Sequence, residues 1–189
     1  MEAKFLIIEK PGKENTEKIM KLAKENAELL GISSVVIAST WGGNARAALK
    51  MFDPKITNLI IVTHNAYFRS ETPQEFDEKL RKELLEKGVK VVTGTLAFSG
   101  VQSGLNKDYQ IFDFTGLYAK LLRDNFSDGI KVCIECVLMA CDSGAIKPGE
   151  RVLAIAGTGS GADTLCLITA QTSRAFGKLR VNAIFAKPL

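Results

Sequence analysis

Six consecutive residues, Ser39-Thr40-Trp41-Gly42-Gly43-Asn44, hold the densest set of chemical groups in the chain. They follow the β-branched run Ser34 to Ala38 and open a short Ala-rich segment, Asn44 to Met51. A strand that hands over to a helix at this point would aim two hydroxyls and several unpaired backbone amides at one spot. A helix N-terminus carries about half a positive charge and binds phosphate or another anion. Gly42 and Gly43 permit a close backbone approach and positive φ. The competing reading is a plain capped turn, with Ser39 and Thr40 satisfying only local amides. Trp41, the only tryptophan, either stacks on a ligand ring or covers an edge of the core.

Other groups could join such a site. Lys10-Pro11-Gly12-Lys13-Glu14-Asn15-Thr16 is a turn with lysines that leads into a helix start, with Asn15 as its cap. It lacks the glycine spacing and Lys-Ser/Thr pair of a Walker loop, so a charged turn is its other reading. Gly157-Thr158-Gly159-Ser160-Gly161-Ala162-Asp163-Thr164 is rich in donors, and Gly157, Thr158, Gly161 and Asp163 are candidate ligand contacts. Strand-like residues follow it, so it fails the context of a dinucleotide-binding turn and reads as a ligand cradle or a simple loop. Thr63-His64-Asn65 closes an apolar run, which would place Thr63 and the lone histidine, His64, at a strand's carboxyl end. Glu135 sits in an apolar helical stretch, where a carboxylate needs a partner or a site to face. Asp142 shares that helix and would face the same cleft. Cys133, Cys136 and Cys141 read as small core residues rather than metal ligands, and one histidine allows no Ser-His-Asp triad.

The elements needed to hold these residues alternate along the chain. Apolar runs at Phe5–Ile8, Ser34–Ala38, Leu59–Thr63, Val89–Val92 and Val152–Ala156 predict strands, and Leu165–Thr169 and Val181–Ala186 predict two more. Ile19, Ala23, Ala27 and Leu30 recur at helical spacing up to Gly31. Thr72-Pro73-Gln74-Glu75 reads as a capping box ahead of Phe76, Leu80 and Leu84. Thr115–Asn125 and Lys131–Ser143 predict two further helices, while Gly94–Phe114 reads as a long loop, with Ser99–Gly104 able to close over a ligand. The strands are apolar on both faces, which implies a mostly parallel sheet covered by helices on each side. Ligands of such sheets sit at the carboxyl ends of the strands.

The chain has 189 residues, 46% hydrophobic and 24% charged, with a formal net charge of +4. That composition suits one globular domain over 1–189 and excludes disorder or coiled coil as the main story. The positive charge is scattered, which disfavours a nucleic-acid partner. No apolar run reaches the ~20 residues of a membrane span, and no export signal stands at the start, so a cytoplasmic protein with reduced cysteines is expected.

Several of these stretches carry a family resemblance. The chain resembles a stand-alone version of the C-terminal α/β domain of pyruvate kinase through Lys10–Thr16, Val35–Thr40, Gly129–Gly144 and Gly161–Thr164, with Pro148-Gly149-Glu150 as a turn into a strand. Over nearly its whole length it is similar to a small group of mainly archaeal stand-alone proteins. The resemblance implies a three-layer α/β/α sandwich with a mostly parallel mixed sheet. In pyruvate kinases the equivalent of the Ser39–Asn44 loop cradles a phosphate of a sugar bisphosphate effector; in the stand-alone group the implied ligand is flavin mononucleotide (FMN). Carried over, Ser39, Thr40, Gly42, Gly43 and Asn44 would hold its phosphate, with the ring near Trp41, His64 and the 157–163 loop. Pyruvate kinases favour a Ser-Gly-x-Ser type of loop where this chain has Ser-Thr-Trp-Gly-Gly-Asn. Pyruvate kinase activity is not implied, because its catalytic groups belong to a barrel this chain is too short to contain. Two functions remain open on these residues. One is an FMN-binding protein, with oxidoreductase chemistry on an unnamed substrate. The other is a non-catalytic module that senses a phosphorylated metabolite. The expected partner is a phosphorylated small molecule, with self-association left open.

Overall fold

A computed structural model describes residues 2–69 and 71–189. The strands are β1 (Leu6–Ile8), β2 (Ser34–Ala38), β3 (Asn58–Val62), β4 (Lys90–Val92), β5 (Arg151–Ala156), β6 (Thr164–Thr169) and β7 (Arg180–Pro188). They form one sheet in the order β1-β7-β6-β5-β2-β3-β4. The pairs β1–β7, β2–β3, β2–β5 and β3–β4 are parallel, and only β6 runs against its neighbours. β6 is reversed because the 157–163 loop is too short for a crossover helix, which a parallel return needs.

The helices are α1 (Thr16–Leu30), α2 (Gly43–Met51), α3 (Glu78–Glu86), α4 (Val101–Tyr109), α5 (Phe114–Asn125) and α6 (Asp128–Asp142). Alternate strand residues point to opposite faces. Val35 and Ile37 pack with Leu59, Ile61, Leu153 and Ile155 against α1, α2 and α3. Val36 packs with Ile60, Ala154 and Ala156 against α5 and α6. The result is the three-layer α/β/α sandwich with a mostly parallel mixed sheet. α6 is the most deeply placed helix, buried from Gly129 to Cys141 except at Val132. Among the described residues no helix is long and apolar enough to cross a membrane.

Three local expectations need correction. Thr72–Glu75 does not cap a helix. Thr72 N–H donates to Arg69 O at 3.1 Å, Glu75 is drawn to His64, and α3 begins only after Asp77, whose carboxylate accepts from the amides of Lys79 and Leu80. The Gly94–Phe114 stretch is not one long loop, because α4 occupies its centre. α4 buries no residue and contains Gly104, so its pattern was diluted. Its C-terminal region is tied down by side chains, with Asn106 Nδ2 donating to Ile111 O at 2.8 Å and Ser103 to Asp113 at 2.8 Å. Asn15 precedes α1 but does not cap it. Its side chain instead donates to Lys10 O and Gly12 O, at 2.9 and 3.1 Å, and so shapes the preceding turn.

Candidate functional site

The direction of strand addition changes between β2 and β5. The chain moves outward from β2 to β3 and β4 along one side, then returns through α4–α6 to place β5 on the other flank of β2. A crevice opens outside the carboxyl ends of strands at such a switch point. Here it holds a cavity of about 550 Å³, within the usual size range of ligand sites. The N-terminal ends of α1, α2 and α6 all reach it, through Thr16, Gly43 and Asp128. Three positive dipole ends converge on one space.

The Ser39–Asn44 loop forms one wall. Among the described residues, the amides of Thr40, Trp41, Gly42, Gly43 and Asn44 donate to no protein acceptor. Ser39 is buried, and its hydroxyl accepts from Ala45 N–H at 3.3 Å. Asn44 donates from Nδ2 to Ala38 O and Gly161 O, both at 2.9 Å, so its side chain ties its own loop to the 157–163 loop and only its amide is free. Gly42 has φ +97°, and a Cβ there would meet Leu80 of α3, so its freedom serves helix packing. Gly43 has open space around its Cβ position, on the cavity wall. Trp41 is 51% exposed and stands at the rim rather than over the core, with the Arg69 guanidinium 5.5 Å from its ring centroid.

His64 faces the cavity across from this loop, with Nε2 3.4 Å from Thr40 Oγ1. Its Nδ1 lies 2.6 Å from Glu75 Oε2. Glu75 is a carboxylate, which assigns the proton to Nδ1 and leaves Nε2 able to accept from Thr40. Glu75 is nearly buried, and Arg69 Nε lies 3.1 Å from its second oxygen, as an ion pair rather than an aligned hydrogen bond. Thr63 turns toward the next strand, with its hydroxyl 2.7 Å from Thr93 Oγ1.

The opposite wall comes from two loops that share one buried acid. Asp163 is fully buried and does not face the cavity. Its Oδ2 accepts from Gly12 N–H at 3.2 Å and Thr158 N–H at 3.0 Å, and its Oδ1 from the Thr164 hydroxyl at 2.8 Å. Asp163 and Thr158, expected as ligand contacts, therefore organise the loops, while Gly157, Gly159, Ser160 and Gly161 line the space. Gly161 has φ +77°, and a Cβ there would collide with Lys13, so glycine permits the close approach of the two loops. That approach brings Lys13 and Thr16 onto the wall, and Lys13 forms no ion pair among the described residues.

A smaller chamber of about 220 Å³ adjoins the first and shares Ala38, Ser39, Thr40, His64 and Val132 with it. Glu135 lies here. Its Oε1 accepts from Phe98 N–H at 2.9 Å and its Oε2 from Lys131 Nζ at 2.5 Å. Lys131 was not singled out from the sequence, although its i,i+4 spacing to Glu135 was the available signal. Ser99 also borders this chamber, while Val101 to Gly104 belong to α4. Asp142 is at the far end of α6, where it accepts from Ser173 N–H at 2.9 Å, so it does not face the cleft. All four cysteines are buried. Burial pushes the Cys133 thiol well above its usual range, with Cys166 close by adding to the shift, and burial also raises Cys136 and Cys141.

The family model described as pyruvate kinase, alpha/beta domain, matches residues 17–168, which include α1, α6 and the strands of the switch point. The chain belongs to that family.

Proposed function

We propose that this member of the pyruvate kinase alpha/beta-domain family binds a phosphorylated small molecule of the FMN class, with its phosphate on the amides of Thr40 to Asn44. The observation that carries the reading is that run of five unpaired amides at the start of α2. Anions are stabilised there by direct hydrogen bonds and by the helix dipole. Lys13 adds a free positive charge and Ser160 a hydroxyl on the facing wall.

The rest of the cavity suits a planar ring system. Trp41 offers an exposed aromatic face, and Ala38 and Val132 offer apolar wall. FMN, when bound, supplies one- or two-electron transfer at its ring. The chain's own contribution is to fix the phosphate, flank the ring and hold a proton on His64 Nδ1 against Glu75. His64 Nε2 thereby stays an acceptor at the junction of the two chambers.

Titration of the purified protein with FMN, followed by absorbance and by thermal unfolding, tests the proposal. Saturation at 100 Kd is expected to add about 2.7 kcal/mol of stability. Riboflavin, which lacks the phosphate, should bind far more weakly. Tighter binding of a sugar bisphosphate than of FMN would transfer the site to a regulatory module that senses a phosphorylated metabolite.

A further inference from the structure

The inner chamber is more enclosed than the outer cavity and has a different chemistry. Lys131 and Glu135 project into it from α6, both nearly buried. A protonated lysine has three N–H donors and no acceptor. One donor of Lys131 goes to Glu135. A second has a weak partner in the Phe98 ring, whose centroid is 5.8 Å from Nζ. Among the described residues no further protein acceptor lies within hydrogen-bond distance of Nζ. Nζ is already matched by Glu135, and its remaining donor capacity is open to an acceptor that enters the cavity it lines.

The charges around the chamber narrow the class of that acceptor. Each is already answered by a neighbour: Lys131 by Glu135, and Arg123 by Asp128 at 3.0 Å. An entering carboxylate would be an extra, unmatched charge in a low-dielectric space. A neutral oxygen acceptor brings no such cost. The remaining wall mixes apolar surface from Val62, Phe68, Leu96 and Met139 with the uncharged hydroxyl residues Ser39, Thr40, Thr63 and Ser99. At roughly 30 Å³ per water-sized group, the volume admits about seven non-hydrogen atoms.

We infer that the inner chamber is a subsite for a small neutral carbonyl compound, with Lys131 Nζ donating to its oxygen beside the ligand of the outer cavity. The subsite rests on the proposed FMN site only for what its occupant would face, since the walls of the inner chamber are complete without that ligand.

Cyclohexanone is a suitable probe, and cyclobutanecarboxylate, of the same number of non-hydrogen atoms, its charged counterpart. Each is titrated into isotope-labelled protein, with and without FMN, while the Met139 methyl and the Phe98 amide are followed by NMR. Cyclohexanone should shift both signals, and the carboxylate at equal concentration should shift neither. Lys131→Met should weaken the ketone by about tenfold or more, the scale of one hydrogen bond to a charged donor. That change strands Glu135, so Lys131→Met/Glu135→Gln is measured beside it, with the same loss expected. Ketone shifts that are absent in protein that binds FMN, or that persist in the double variant, overturn the subsite. Carboxylate binding equal to or tighter than the ketone overturns the neutral assignment. Ketone shifts in protein that never takes up FMN leave the subsite standing and remove the FMN reading instead.

Discussion

The two ends of the sheet handle their polar groups in opposite ways. At the amino ends of β2 to β5 the groups are matched among themselves. Ser34 donates to Glu150, and Asn58 Nδ2 donates to Ser34 Oγ at 3.0 Å. Glu150 also accepts from Lys147 N–H at 2.9 Å, and Lys90 Nζ donates to Ala145 O at 2.8 Å. At the carboxyl ends, five successive amides and the Lys13 ammonium have no protein partner among the described residues. Both ends are rich in turns, so loop composition alone does not separate them. The open donors do separate them, and they are the feature on which the proposed phosphate site rests.

The sharpest way to break this contrast is to remove the acid that holds the ligand-side loops. Asp163→Ala deletes the shared acceptor of two amides and one hydroxyl. It should cost about 3 kcal/mol in urea unfolding and lower FMN affinity at least tenfold. Unchanged affinity would show that the loops hold their shape without it. Glu150→Ala disrupts the matched end, strands the Ser34 hydroxyl and the Lys147 amide, and should cost about 2 kcal/mol while FMN affinity stays the same. A drop in affinity there would mean the two ends are not independent.

Smaller effects are expected from the wall itself. Lys13→Met should weaken FMN about tenfold, near 1.4 kcal/mol, and leave stability within about 0.5 kcal/mol. Trp41→Leu should weaken it only several-fold, in line with about 1 kcal/mol for an aromatic contact. Affinity that is indifferent to both would place the ligand elsewhere. The smallest effect concerns acid. The Gly116 amide, with help from the Ser103 hydroxyl, holds the Asp113 carboxyl below its usual range. A lowered folded pKa stabilises above the ordinary carboxylate value of about 3.9 and loses that contribution as pH falls through the folded value. The start of α5 should therefore fray in strong acid before the sheet does, as read by hydrogen exchange, and Asp113→Asn should remove that dependence.

Much of this arrangement was legible in the residues. β2 was delimited to the residue because a β-branched run meets a loop of different composition at Ser39. The strand-to-helix turn at Ser39–Asn44 is legible from the same boundary, and both a local cap and an anion site are readings of its donors; Ser39 does serve locally, accepting from Ala45 N–H. What could not be read was long-range. Asp163 looked like a ligand contact because its loop is rich in donors, but its burial depends on Gly12, 151 positions away. Lys13 could have been a charged turn and no more; only the collision-free approach at Gly161 brings it to the cavity. α4 was hidden because it packs no apolar face into the core, so its sequence carries no buried period.

The central claim is tested most directly by recording the amide signals of Thr40 to Asn44 in labelled protein during parallel additions of FMN and riboflavin. Large, saturable shifts are expected at those five amides with FMN, and little change with riboflavin. Equal responses to the two compounds, or FMN shifts that leave those amides unmoved, would contradict it.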